Sequence, residues 1–265
     1  MVIKALKRSY SFLIFFFLYA PILVLIVYSF NNSKSRAHWD GFTFKWYGEL
    51  FRDQQIMTSL YYTLLVAVIS SVLATVVGTA AAIGIHNMKK LPKTITMNIT
   101  YLPVLNPDIV TGISLMLLFI FVKIPLGFIS MLLAHITFNL PFIILSVLPK
   151  LKQLNSQVFD AALDLGATPI YAYRRVILPQ ILPGIVTGFL LAFTMSIDDF
   201  VVSFFTTGSG VSNIAITIYS MARRGINPKI NALLTMMFIF VLLLLIIINN
   251  RLSKDNEKTS KLKEV

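Results

Sequence analysis

Six long apolar runs, separated by polar or charged stretches, set the pattern of this chain. They run from Tyr10 to Phe30, Leu60 to Ile85, Met97 to Val122, Leu126 to Leu148, Ile181 to Phe205 and Pro228 to Ile248. A helix rises about 1.5 Å per residue, so about 20 apolar residues cross the hydrocarbon core of a bilayer, and each run is long enough. The pattern predicts an all-α integral membrane protein with six transmembrane helices and both termini on one side. Ala74, Gly78 and Ala82 recur every fourth residue in the second run, a small-residue stripe against which another helix can pack closely.

Charge orients the chain. Lys4, Lys7 and Arg8 precede a first run that is too long for a signal-peptide core and has no clear small-x-small cleavage site after it, so it is expected to stay as an anchor. With the termini in the cytosol, fifteen of the 23 Lys and Arg fall in inside segments, among them Lys89, Lys90 and Lys93, and eight fall outside. The external loop after the first run carries Trp39, Trp46 and Tyr47, which are expected to anchor at the membrane interface. A second outer segment, Gly208 to Asn227, is expected to hold a helix over Asn213 to Arg224, ended by Gly225.

Composition narrows the class. The chain is 57% hydrophobic and only 13% charged, against about a quarter charged in ordinary soluble domains. A net charge of +12 in such a chain reports loop placement and anionic lipid rather than nucleic acid. No cysteine is available for disulfides or thiolate metal sites, and His38, His86 and His135 are scattered without ligand spacing. No GxxxxGK[ST] loop and no grouped nucleophile and base occur, so the chain is expected to be no enzyme, to hold no metal and to have no catalytic residue.

Of eleven acids, three fall in or near the runs: Asp108, Asp198 and Asp199. A charge at membrane depth costs about 3 kcal/mol on insertion scales and usually faces a cavity or a partner. On a straight helix Asp108 lies about 16 Å into the third run, near mid-bilayer. No Lys or Arg lies in the interior of a run, Lys229 standing at the very start of the sixth, so these acids suit a cationic substrate, with Phe200, Phe204, Tyr101 or Tyr219 available for cation–π contact. Helix capping is the other reading of these acids. Asn106-Pro107-Asp108 has the form of a helix restart with Asn106 as cap, and Ser196 with Asp199 has the form of a capping box. Asp198 is left out of that box, which favours the pathway role for it.

The cytosolic stretch Phe159 to Pro183 is the most patterned part of the chain. Ala161, Ala162, Leu165 and Ala167 form an apolar helical side, with Asp160 and Asp164 one turn apart on the polar side. Gly166 permits a tight bend, Pro169 follows Thr168 as the first residue of a new helical turn, and Pro179 and Pro183 are expected to break the path before the membrane. The result is a protruding knob suited to lying in a partner's groove.

The spacing acid-Ala-Ala, three residues, Gly, nine residues, aliphatic, one residue, Leu-Pro resembles the "EAA" loop of ABC importer permeases. Here Asp160, Ala161, Ala162, Gly166, Val176, Leu178 and Pro179 occupy it, with Ala167 after the glycine and Asp160 where Glu is commoner. The resemblance implies a type I (MetI-like) permease fold over residues 55–250, with its ATPase-coupling loop at 150–183, preceded by a first helix and external loop over 1–54 and followed by a cytoplasmic tail over 251–265. The segments Met195 to Gly208, Ile218 to Met221 and Arg224 to Ala232 further resemble the spermidine/putrescine importer permeases. That implies a bacterial inner-membrane protein importing polyamines, with Asp108, Asp198, Asp199, Phe200 and Tyr219 as its candidate substrate pathway. The implied partners are a PotB-like second permease subunit, two PotA-like ATPase subunits that bind ATP and Mg, and a PotD-like extracytoplasmic binding protein, with no cofactor in this chain. A permease for another solute is the alternative, and a stand-alone secondary transporter, which predicts internal repeats not seen here, comes after it.

Overall fold

A computed structural model of the chain describes residues 2–34, 38–155, 157–224 and 228–261. Those residues are helical almost throughout, and the isolated bridge between Asn31 and Phe42 is the one strand-like pairing among them. Four helical stretches are long and apolar enough to cross a membrane: Ser9–Ser29, Gln54–Asn87, Phe128–Gln153 and Pro169–Asp198. A bent pair adds a fifth crossing if taken as one span, and Pro228–Leu243 is a shorter apolar helical stretch. The chain packs as two compact units.

The first unit holds residues up to Met57 and from Ile218 on. Helix α1 (Val2–Ser29) and the short helix α2 (Lys45–Arg52) both pack on α12 (Pro228–Lys261), which continues into the segment expected to be a solvated tail. Trp46 does not sit at an interface as expected. It is buried, and its indole N–H donates to the Asn31 carbonyl at 2.7 Å, because the loop before α2 folds back over it. Trp39 is exposed as an anchor would be. The Lys229 ammonium lies 3.1 Å from the Asp53 carboxylate and 3.9 Å from that of Glu49, tying α12 to the neighbourhood of α2.

The second unit, Thr58–Thr217, is built around α6 (Phe128–Gln153), whose Ile143, Val147 and Leu151 are buried in its main core. Helix α3 (Gln54–Asn87) lays its small-residue stripe on α6: Ala74 and Ala82 are fully buried, and a Cβ at Gly78 would come 2.8 Å from the Ile143 side chain. Only a residue without a side chain permits that approach. The third apolar run is not one straight helix. It forms α4 (Lys90–Leu105) and α5 (Asp108–Phe121), which meet at 108° across Asn106 and Pro107, because Pro107 has no N–H to continue the ladder and pushes Asn106 into extended backbone.

After α6 the expected knob is formed by α7 (Gln157–Asp164) and α8 (Pro169–Ala172). A π-helical turn, Tyr173–Ile177, then leads without interruption into α9 (Leu178–Asp198). Pro179 and Pro183 therefore do not break the path. The Leu178 N–H bonds the Tyr173 carbonyl across the π turn, and this wider turn accommodates a proline ring just after it. The fifth run is interrupted instead at its far end, where Asp199 turns to extended backbone and α10 (Val201–Thr206) begins as a separate piece. Helix α11 (Ile214–Arg224) forms as expected, with the Asn213 side chain accepting the Ile216 N–H at 2.9 Å. Gly225 lies outside the described residues.

Candidate translocation site and coupling segment

The break between α9 and α10 is held by side chains from four helices. One Asp199 oxygen accepts the Val202 N–H at 3.1 Å and the other accepts the Ser203 N–H at 2.7 Å, which caps α10 from in front. Its carboxylate is 9% exposed and lies 3.5 Å from His135 Nε2 on α6. Asp199 is thus not the unpartnered charge expected from the absence of Lys and Arg, because two backbone N–H groups and the nearby His135 ring take it up. Nor do Ser196 and Asp199 form a capping box. Ser196 is interior to α9, and its hydroxyl pairs with His135 Nδ1 at 2.5 Å and with Ser70 on α3 at 3.2 Å. The expected cap at Asn106 is displaced by one residue: Pro107 takes the cap position of α5 with no side-chain bond, and Asp108 stands exposed in its first turn.

Asp198, the last residue of α9, is exposed, and among the described residues no cation pairs with it. Phe200 stacks in tilted fashion on Phe204 with ring centres 5.5 Å apart. Helix α5 packs on α10, so that Gly112, one turn after Asp108, abuts Val201, three residues after Asp198. Asp198, Asp199 and Phe200 share one break. Tyr219 belongs to the other unit, where its ring lies 5.9 Å from the Arg223 guanidinium.

The candidate coupling segment has the expected local form. Gly166 adopts φ +85°, a left-handed value that closes α7 as Ala167 N–H bonds back to the Ala162 carbonyl at 3.1 Å. Thr168 caps α8 through the Tyr171 N–H, and Pro169 occupies its first position. Asp160 lies exposed in the first turn of α7, and Ala161 is exposed beside it. Leu165 and Ile170 are 90% and 81% exposed, and Ala162, Gly166, Ala167 and Val176 help line a shallow hollow of about 490 Å³ beneath them. Such apolar exposure on a short helical knob marks a surface for a partner. On its inner side Phe159 meets Tyr173 at 4.7 Å, and the Tyr173 hydroxyl accepts from Asn87 at the end of α3 at 2.9 Å. Ile177 is buried in the core at the base of the segment, with Leu178 packed beside it ahead of Pro179.

Residues 74–254 match the family of binding-protein-dependent transport system inner membrane components. The chain belongs to this family. The permease is 36% identical over 258 residues to the spermidine/putrescine transport system permease protein PotC of Escherichia coli strain K12, covering 97% of each chain. It is 38% identical over 231 residues to the putrescine transport system permease protein PotI of the same strain, covering 84% of this chain and 82% of that one. Its fold matches that of a bacterial alginate ABC transporter solved in complex with an alginate-bound periplasmic protein, with a TM-score of 0.72 at 16% identity over 95% of this chain and 93% of the other. The permease is therefore a multi-pass inner-membrane subunit of an ABC importer with the type I permease fold, and ATP hydrolysis resides in a separate ATPase.

Proposed function

We propose that this permease carries polyamines, spermidine or putrescine, across the inner membrane as one half of an ATP-driven import path. The observation that carries the reading is Asp198, an exposed carboxylate at the break in α9 with no cation paired to it among the described residues, in a chain related over nearly its whole length to PotC. A protonated amine seated there recovers part of the cost of holding an acid at membrane depth. Asp108 and Phe200 contribute a second acid and an aromatic face. Asp199 serves the path indirectly, by fixing the break.

The other half of the path is a PotB-like permease, and a PotD-like binding protein delivers the substrate from outside. Of the complex's two PotA-like ATPases, one docks on the knob from Asp160 through Ala161, Ala162, Gly166 and Ala167 to Leu178 and Pro179. ATP and Mg bind in those partners, and this chain needs no cofactor. Closure of the ATPases moves the knob and switches the cavity from outward to inward access. The test is spermidine uptake into proteoliposomes holding the complete complex, with ATPase activity measured in parallel. Asp198→Asn is expected to raise the KM for spermidine about tenfold while ATP hydrolysis persists. Uptake indistinguishable from wild type would remove Asp198 from the path.

A further inference from the structure

His135 joins α6 to both α9 and α10 through polar contacts. It is 1% exposed, in the middle of the apolar helix α6. An imidazole buried there is costly unless both ring nitrogens find partners. Both do: Nδ1 meets the Ser196 hydroxyl at 2.5 Å and Nε2 meets the Ser203 hydroxyl at 2.9 Å, with an Asp199 oxygen 3.5 Å away. Ser196 lies two residues before Asp198, and Ser203 lies in α10 beyond the break. With its proton on Nε2, the ring donates towards Ser203 and the Asp199 carboxylate and accepts the Ser196 O–H on the other side. Ser196 is also within 3.2 Å of Ser70, so the strap continues into α3.

We infer that His135 is a positioning residue for substrate recognition: by joining α9 to α10 across the break and engaging Asp199, it leaves the adjacent Asp198 carboxylate as the one presented to the cation. The two acids are neighbours in the chain, and extended backbone at Asp199 separates their directions. If the strap is cut, Asp199 keeps the two N–H groups of α10 and the Asn213 amide on its carbonyl but loses its link to α6, and Asp198 loses its set direction. The inference rests on the assignment of Asp198 to the polyamine path.

The experiment is a cycle of KM values for spermidine, measured on the complete complex in proteoliposomes and normalised to the amount of assembled complex. His135→Phe keeps an aromatic ring in place, somewhat larger than the imidazole, and removes both hydrogen bonds. It is expected to raise KM about tenfold in the wild-type background and less than twofold when added to Asp198→Asn. His135→Gln, which retains one donor and one acceptor, is expected to recover most of the loss. Should His135→Phe fail to assemble, Ser203→Ala replaces it, with an expected rise of about threefold that likewise vanishes beside Asp198→Asn. A KM unchanged by these variants while Asp198→Asn raises it overturns the role of His135 alone, as do effects that multiply independently. A KM unchanged by Asp198→Asn itself overturns the underlying path assignment as well.

Discussion

Asp198 and Asp199 stand side by side and do different work. Asp199 spends its charge locally, on two N–H groups of α10 and on the neighbourhood of His135, whereas Asp198 keeps its charge exposed. Removing an N-cap costs about 1–2 kcal/mol, while an exposed acid at a helix end contributes within about 0.5 kcal/mol. Asp199→Ala is therefore expected to lower the thermal unfolding midpoint of the detergent-purified complex clearly and Asp198→Ala to leave it nearly in place. Equal midpoints would contradict the division. Both acids were visible in the sequence because charges inside apolar runs are rare. Their separation was not, because it depends on a histidine 61 residues before Ser196 and 68 before Ser203, a pairing only the packed helices create. The same holds for Trp46, whose aromatic character fits an interface equally well until the loop at Asn31 is seen folded across it.

The knob after α6 was legible almost residue by residue, since a glycine at positive φ, a threonine cap and a proline at the first helical position are all local chemistry. The helix beyond the knob was not legible in the same way. Two prolines within five residues read as a stop, and only the π turn shows how the helix continues past them. The bend at Pro107 was half legible: a restart is written in Asn-Pro-Asp, but its 108° angle comes from how α5 lies on α10. The exposed apolar tip supports a direct test of docking. Leu165→Asp changes a side chain that is 90% exposed and supports no core. It is expected to leave the unfolding midpoint unchanged and to reduce co-purification of the ATPase subunit at least fivefold; full co-purification would argue against the knob as docking surface. The Cβ of Gly166→Ala meets no neighbour within 4 Å, so its penalty is backbone strain alone, about 1–2 kcal/mol. The substitution is expected to weaken the same co-purification by distorting the closure of α7.

Six apolar runs and the excess of Lys and Arg on one side predict a topology with both termini in the cytosol, and a chain without cysteine makes that easy to test. Single cysteines at His38 and at Leu165 are expected to react oppositely with a membrane-impermeant thiol reagent. In intact spheroplasts the first is labelled and the second is protected until the membrane is opened. The reverse pattern would invert the assigned orientation. The membrane class and the run boundaries came from hydropathy alone. The two breaks within runs needed the packed structure, because an interrupted helix and a continuous one have the same apolar composition.

The uninterrupted helical stretch from Pro169 to Asp198 has a mechanical corollary. Its 30 residues form a rod about 45 Å long, with the docking knob at one end and the acid pair at the other. A tilt of about five degrees about the cytosolic end sweeps the far end through an arc of about 4 Å, on the same rise per residue. That stroke is several times the slack a hydrogen bond tolerates before it weakens. A transport cycle that tilts the rod by that much either drags α6 and α10 along with it or lets the Ser196–His135 link open and close once per turnover.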